Sequence, residues 1–341
     1  MLREHILGFR SVSIIGMCKN AGKTTVLNRI IRELRDERLT LALTSIGRDG
    51  EAVDVVTGTA KPGIYIHENT LVATAEGMLR ECDVTREIVG ATGYSTPLGE
   101  VVLFRARSDG SVQLAGPSMT AQLIALTDTF ASLGADMTVI DGALSRKSLC
   151  APAVSEATVL CAGASYSKSI DTLVEDTAFA AKLLTLPRQT LWSEAEIADE
   201  RASKVRMKRK DGSVAPLPED MPLADALRCT EYADIAGVFI SGAVTDALLR
   251  PVLQGGANIA GVEFASLDGS KLLFRRDAYD KLALRGARLA VARPVRLAAI
   301  TVNPVSAYGW DMNPAELLGR MRAAVDVPVM DVMNEEGGTD A

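Results

Sequence analysis

The sequence predicts an α/β fold in which helices flank a mostly parallel sheet. A short apolar run near the N-terminus ends at a glycine-rich turn, and apolar residues at helical spacing follow that turn. Two further runs, residues 137–143 and 158–164, are close to uniformly apolar, which is typical of parallel strands buried on both faces. With 341 residues, 48% hydrophobic and 23% charged, the chain can fold as one large or two ordinary domains.

The N-terminal segment predicts a strand–helix–strand unit. Residues 11–17 (SVSIIGM) and 41–46 (LALTSI) are short apolar runs of strand length. Between them, the residues expected on the buried face of a helix are Val26, Leu27, Ile30, Ile31 and Leu34. A helix of about a dozen residues is long enough for a crossover between parallel strands, so we expect a βαβ unit.

The middle of the chain predicts an inserted hairpin and two helices. Residues 85–116 alternate β-branched residues with turn signals, and Asp109-Gly110 is the expected hairpin turn. One amphipathic helix is expected to end near Leu133, and a second to span residues 170–184.

Three segments are expected. Residues 1–187 form the first domain, with the hairpin at about 85–116 as an insertion. Residues 188–222 are rich in acids, bases and proline, which favours a linker or small insertion. Residues 223–341 repeat strand and helix patterns and predict a C-terminal α/β part, either continuing the first domain or contacting a partner.

Composition excludes several classes of protein. A net charge of −6 provides no general attraction to polyanions, and aromatic residues make up only 4%, so we expect neither a nucleic-acid nor a membrane-surface partner. The N-terminal apolar stretch is too short for a signal-peptide core or a membrane span, which predicts a cytoplasmic protein. Five cysteines with no CxxC pair fit neither a disulfide framework nor a zinc site.

Residues 16–24 match GxxxxGK[ST] between a predicted strand and a predicted helix, which is the context of a phosphate-binding loop. Backbone N–H groups and the helix N-terminus would surround the phosphates, Lys23 would reach the β- and γ-phosphates, and Thr24 would bind Mg²⁺. A glycine turn that only caps a helix is the alternative. The predicted nucleotide-binding residues are Gly16, Lys19, Asn20, Ala21, Gly22, Lys23, Thr24 and Thr25.

Acidic residues near the predicted strand ends are candidates for the metal side of the site. Asp141 ends a buried strand, where the second Mg²⁺-binding acid of such a site lies. Asp49, with Glu51 and Asp54 nearby, follows the second strand, where a group that senses Mg²⁺ or positions water would sit. We therefore predict Lys23, Asp141 and Asp49 as catalytic, and Thr24, Asp141 and Asp49 as metal ligands. A strand-terminal turn acid and a solvated acidic loop are the alternatives.

Several other features allow two interpretations. Lys19 contacts the nucleotide, reaches across a dimer or faces water, and Cys18 is either a permissive loop residue or a thiol of lowered pKa. Lys61-Pro62 and Arg146-Lys147 could bind an anionic group or lie on exposed loop tips. The basic residues between 201 and 210 form either the charged face of a hairpin or a docking surface for an acidic partner.

The identity of the nucleotide depends on a motif that is missing. No NKxD stretch is present, so a guanine-specific pocket lacks its usual residues and ATP is the expected nucleotide. Asn303-Pro304 follows a predicted strand and could border a base pocket or form a turn.

The pattern GxxKNxGKTT resembles the P-loop NTPase class that includes the molybdopterin-guanine dinucleotide biosynthesis adaptor and dethiobiotin synthetase. The lysine typical of the partitioning and nitrogenase-iron-protein branch would fall at Met17 and is absent. Residues 44–54, 57–66, 140–148 and 300–314 together resemble the P-loop reactivase subunit encoded beside adenosylcobalamin-dependent lysine 5,6-aminomutase.

That second resemblance implies ATP, Mg²⁺, an aminomutase client and a MutS-like ATPase partner. The implied role is nucleotide-driven release of damaged cobalamin from the inactivated mutase. The alternatives are an ATP-dependent synthase or kinase in which Lys61 or Lys147 positions a small metabolite, and a nucleotide-binding adaptor without turnover. Dethiobiotin synthetase carries Thr-Asp where this chain has Lys19-Asn20, which weakens the synthase alternative. The sequence leaves a homo-oligomer open.

Overall fold

The chain divides into two units in a computed structural model that describes residues 1–46, 63–142, 151–199, 203–218 and 220–333. Unit 1 comprises Met1–Ala181 and Arg296–Ala341, and unit 2 comprises Lys182–Val295. Unit 2 is therefore inserted into the sequence of unit 1.

The elements follow in chain order. Through Leu184 they are α1 (Arg3–Ile6), β1 (Ser11–Gly16), α2 (Lys23–Glu33), β2 (Leu41–Ser45), β3 (Ile64–Ile66), β4 (Leu71–Ala75), β5 (Arg86–Thr96), β6 (Gly99–Ala106), β7 (Gly110–Val112), α3 (Thr120–Ser132), β8 (Met137–Asp141), β9 (Ala157–Gly163) and α4 (Ile170–Leu184). The remainder are α5 (Glu194–Ala198), β10 (Val205–Arg209), β11 (Val214–Pro216), α6 (Leu223–Ala226), β12 (Ile235–Ile240), β13 (Val244–Thr245), α7 (Asp246–Gln254), β14 (Glu263–Ser266), β15 (Leu272–Leu273), α8 (Arg276–Leu284), β16 (Arg288–Val291), β17 (Leu297–Asn303), α9 (Pro314–Ala324) and β18 (Val329–Asp331).

Unit 1 is built on a large, mostly parallel sheet flanked by helices, which confirms the predicted α/β class. Nine of the described strands pair in the order β18-β17-β9-β1-β8-β2-β4-β6-β5. The pairs from β18 to β4 are parallel, and β6 and β5 extend the sheet antiparallel. β1 and β2 are parallel, as the βαβ pattern predicts, but β8 lies between them.

The core of unit 1 lies between α2 and the sheet. The predicted apolar face of α2 is buried, and its members are Val26, Leu27, Ile30, Ile31 and, at the helix end, Leu34. They pack in one cluster with Val12 and Ile14 of β1. Each such side chain stabilises the fold by about 1.5–3 kcal/mol when fully buried. This packing fixes the start of α2 close to the end of β1.

The predicted hairpin is present, but its turn is elsewhere. β5 and β6 pair antiparallel with Thr96 opposite Gly99, so the turn is at residues 97–98. Asp109-Gly110 instead begins β7, which pairs antiparallel with β3. The prediction of that turn was wrong because Gly99, with φ 103°, supplies the left-handed residue the reversal uses.

Unit 2 contains its own five-stranded sheet among the described residues, in the order β11-β10-β12-β14-β16. β12, β14 and β16 are parallel and connected through α7 and α8, while β10 and β11 form an antiparallel hairpin at one edge. That hairpin turns at residues 210–213.

The division into units differs from the predicted boundaries at 187 and 222. Residues 188–222 supply α5, β10, β11 and the approach to α6, so they belong to the body of unit 2. Of the predicted C-terminal part, β17 pairs with β9 and β18 pairs with β17, so both strands belong to the sheet of unit 1. The polar composition of residues 188–222 does not mark a linker, because charged side chains there pair with groups inside unit 2, as described below.

Candidate functional site

The candidate site surrounds the connection from β1 to α2, residues 17–22, here named the β1–α2 loop. β1 lies between β8 and β9, so the loop leaves the sheet near its centre at the carboxyl ends of parallel strands. Ligands of open parallel α/β sheets bind outside this edge. Asn20 (φ 60°) and Gly22 (φ 96°) have left-handed backbones, which lets the chain turn sharply into α2.

The β1–α2 loop is packed against two neighbouring strands. The Met17 N–H donates to the Cys161 carbonyl of β9 at 2.9 Å. A Cβ atom at Gly163 would lie 2.8 Å from the Cα of buried Ala21, so only glycine allows this approach. A Cβ at Gly22 would lie 3.3 Å from the side chain of Asn303 at the end of β17. The loop is therefore held in place by the ends of β9 and β17.

The N-terminus of α2 is electropositive. All first-turn residues of α2 are described; none is acidic, and Gly22 at the N-cap provides no side-chain hydrogen bond. Lys23, the first helical residue, adds a positive charge where the helix dipole is already positive. Its aliphatic chain folds back over Gly16, whose added Cβ would be 3.3 Å from Lys23 Cδ. Such a terminus favours an anion.

Asp141 lies at the same edge of the sheet. It ends β8 with Ile14 of β1 and Ser45 of β2 as its strand neighbours, and it is half-buried. The ammonium of Lys23 and the carboxylate of Asp141 both act electrostatically on the thiol of Cys161. Both predicted charges are therefore within electrostatic range of the Cys161 thiol.

The donor set fits a magnesium ion. Mg²⁺ prefers oxygen ligands and is usually held by one or two protein groups together with phosphates and water. The Thr24 hydroxyl and the Asp141 carboxylate are ligands of that kind. Over the described ranges, no group of three or more His, Cys, Asp or Glu side chains forms a metal cluster.

The cysteines near the loop are not activated. Burial raises the pKa of Cys161 to about 12 and that of Cys18 to about 11, against the opposing effect of the Lys23 ammonium. Both thiols therefore stay protonated at neutral pH. The alternative that Cys18 has a lowered pKa was wrong, because desolvation outweighs the neighbouring charge.

The remaining nucleotide-binding candidates lie in or beside the loop. Gly16 ends β1, Ala21 is buried, and the half-buried residues are Lys19, Asn20, Thr24 and Thr25. Outside the described residues are Asp49, Glu51, Asp54, Lys61, Pro62, Arg146 and Lys147.

Asn303 forms a turn and also reaches the loop. Its Oδ1 accepts from the Val305 N–H at 3.0 Å, and its side chain lies against Gly22. Sequence reasoning noted Asn303 as a turn or pocket residue, but it missed Gly163. A glycine that ends an apolar strand is a signal for close backbone approach, and Gly163 is one.

The basic run of unit 2 is paired internally. Lys208 Nζ donates to both carboxylate oxygens of Glu196, at 2.8 and 2.9 Å. The Arg206 guanidinium donates to the Glu196 carbonyl and lies 4.9 Å from the centre of the Phe239 ring. Arg209 pairs with Asp234 at 2.6 Å. These contacts favour the structural interpretation of the run, because three of its cations already have partners.

A cleft lies at the opposite edge of the sheet in unit 1. This cleft of about 210 Å³ is lined by the amino ends of β1, β8 and β9 and by α3. Arg10 at its rim is paired with Glu156 at 3.7 Å. The cleft is separate from the β1–α2 loop, which leaves the other end of β1.

Compared with known proteins, the chain matches no family model, no curated protein and no solved structure. In the described part of the chain, no helix has the length and apolar character needed to cross a membrane. Fold and site together define an α/β protein with an anion-attracting loop at the carboxyl edge of a mostly parallel sheet.

Proposed function

We propose that this chain is a P-loop NTPase that binds and hydrolyses MgATP at the β1–α2 loop. The observation that carries the proposal is the electropositive, uncapped start of α2, which follows a sharp loop at the end of the central strand β1. The GxxxxGK[ST] pattern coincides with that loop in residue number and in context.

Each group has a role that follows from its place. The N–H groups of the loop and the first turn of α2 bind phosphate oxygens, and the Lys23 ammonium neutralises charge on the β- and γ-phosphates. The Thr24 hydroxyl and the Asp141 carboxylate hold the metal, which when bound offsets negative charge on the phosphates. Asp49 stays a predicted catalytic residue and metal ligand, outside the described residues. Asn303 lies beside Gly22, next to the predicted phosphate-binding loop.

A charge-matched pair of variants tests the nucleotide site. Lys23→Ala should weaken MgATP binding about 10- to 150-fold, the range expected when one charge-assisted hydrogen bond is removed. Lys281→Ala removes a lysine of unit 2 that pairs with Asp277 and should bind MgATP as the parent does. Calorimetric titration measures both affinities, and phosphate release measures turnover. Equal affinities for the two variants would contradict the proposal.

The proposed client is a cobalamin-dependent aminomutase acted on together with a MutS-like ATPase partner. This part rests on the resemblance of residues 44–54, 57–66, 140–148 and 300–314 to the reactivase subunit. ATP binding and hydrolysis would then bias two conformations that differ in affinity for the mutase, since a ligand shifts an equilibrium only through differential affinity.

Phosphate release with and without an inactivated aminomutase tests the client. Stimulation that is lost in Lys23→Ala would support the reactivase role. Turnover that requires only a small metabolite would support the synthase or kinase instead. Nucleotide binding with no turnover under either condition would support the adaptor.

A further inference from the structure

An exposed pair of stacked aromatic rings follows β17. Tyr308 and Trp310 have ring centroids 5.6 Å apart at an interplanar angle of 24°. Tyr308 is 42% exposed although it has an apolar neighbour to pack on. Aromatic residues are only 4% of this chain, and most large apolar side chains are buried in the cores. A flat π-surface open to solvent is therefore an unusual feature here.

The aromatic pair is held rigidly. Trp310 Nε1 donates to the Ala164 carbonyl at 3.0 Å, and the Ser306 N–H donates to the Trp310 carbonyl at 3.1 Å. The Tyr308 N–H donates to Ser306 Oγ at 3.1 Å, and Lys168 Nζ lies 5.0 Å from the centre of the Trp310 ring. Rings fixed before a ligand arrives lose little conformational freedom when they bind it.

The pair lies close to the β1–α2 loop. The Ala307 N–H donates to Ser165 Oγ at 3.1 Å, and Ser165 is two residues beyond Gly163, which abuts Ala21. Two residues span at most about 7 Å, so this path of contacts places the Ala307 N–H within roughly 17 Å of the Ala21 Cα. A nucleoside triphosphate bound in an extended form reaches over a comparable distance.

We infer that Tyr308, backed by Trp310, is the stacking platform for the base of the nucleotide. This inference rests on the proposed function and adds the group that binds the base. Every nucleobase has a π-face, and stacking on an aromatic ring does not read its hydrogen-bonding edge. A purine covers more of the ring than a pyrimidine does. The platform therefore favours purine nucleotides and contributes affinity without selecting between adenine and guanine.

The experiment uses the full chain carrying Trp192→Phe, which leaves Trp310 as its only tryptophan. MgATP and magnesium tripolyphosphate are titrated separately while Trp310 fluorescence and calorimetric heat are recorded. We expect MgATP to change the fluorescence and tripolyphosphate, which has no base, to bind without that change.

Variants at the platform complete the test. Tyr308→Ala should weaken MgATP about 5- to 150-fold, the range for losing one base–aromatic stack, and leave tripolyphosphate affinity unchanged. Tyr308→Phe should retain the parental affinity for MgATP. Leu284→Ala, at an apolar side chain that is 86% exposed in unit 2, controls for loss of surface apolar area.

The possible failures are distinguishable. If the parent chain binds neither MgATP nor tripolyphosphate, the proposed function fails and the platform falls with it. If MgATP binds but Tyr308→Ala has parental affinity and Trp310 fluorescence does not respond, the nucleotide site stands and the platform is wrong. Loss of a protein partner in Tyr308→Ala, with nucleotide affinity unchanged, would equally overturn the assignment to the base.

Discussion

Replacing Gly163 with alanine should displace the β1–α2 loop. The added Cβ would lie 2.8 Å from the Cα of Ala21 and 3.1 Å from its carbonyl carbon and oxygen. Carbon atoms in ordinary contact are about 3.5–4.0 Å apart, so the loop backbone must retreat by about 0.7–1 Å. Gly163 has φ −128°, which alanine adopts without strain, so the whole effect is steric.

The expected cost is about 1–3 kcal/mol of unfolding free energy, the range for inserting a methyl group into a well-packed site. Gly319→Ala is the matched control because an added Cβ there has no described neighbour within 4 Å. That control lies inside α9 and should instead stabilise unit 1 by about 0.4–1 kcal/mol, because alanine loses less backbone entropy on folding than glycine does.

Urea unfolding measures both variants. The two tryptophans of the chain fall in different units, Trp192 in unit 2 and Trp310 in unit 1. Trp310 fluorescence in a Trp192→Phe background therefore reports on unit 1, where both glycines lie. Unfolding of Gly163→Ala within about 0.5 kcal/mol of the parent, at an unchanged m-value, would refute the described packing of the loop on β9.

Two further predictions concern unit 2, followed through its own tryptophan. Burial raises the pKa of Glu196, but hydrogen bonds from Lys208 and the α5 cap outweigh it and lower the pKa to about 2. The folded pKa is below the ordinary 4.5, so this stabilisation is complete above pH 4.5 and is lost as the pH falls toward 2. After allowance for solvent screening, the stabilisation amounts to about 1–2 kcal/mol. Glu196→Gln should lack that part of the pH dependence of unfolding. Arg285→Ala should destabilise unit 2 by about 1.5–3 kcal/mol in urea unfolding, because the Arg285 guanidinium donates to carbonyls at the end of α7. The control Arg275→Ala, at a side chain that is 87% exposed, should unfold within about 0.5 kcal/mol of the parent. Equal effects of the two variants would contradict the stabilising role of Arg285.

Local patterns predicted the centre of unit 1 well. The apolar spacing that predicts α2 is the face buried against β1, and the predicted helix over residues 170–184 coincides with α4. Asp141 was expected at a strand end, and it ends β8. These features depend on periodicity within about a dozen residues, which is the range over which side-chain spacing reports burial.

Those local patterns could not predict which strands pair when the strands are far apart in the sequence. The insertion of β8 between β1 and β2 and the return of β17 to β9 join residues that are 96 to 140 positions apart. No periodicity encodes which parallel strand is the neighbour. The same limit applies to Gly163 and to the Tyr308–Trp310 pair, whose importance depends on residues that the fold brings close.

Two lysines show most clearly what the sequence could not predict, because Lys208 of unit 2 and Lys23 of unit 1 have different surroundings. Lys208 of unit 2 donates to Glu196, which favours the structural interpretation of the basic run. Lys23 of unit 1 starts a helix whose first turn has no acid. A cation at a helix N-terminus is unfavourable by about 0.3–1 kcal/mol unless an anion lies nearby. Lys23 lies at such a terminus at the carboxyl edge of the sheet, and a bound phosphate would offset its charge there.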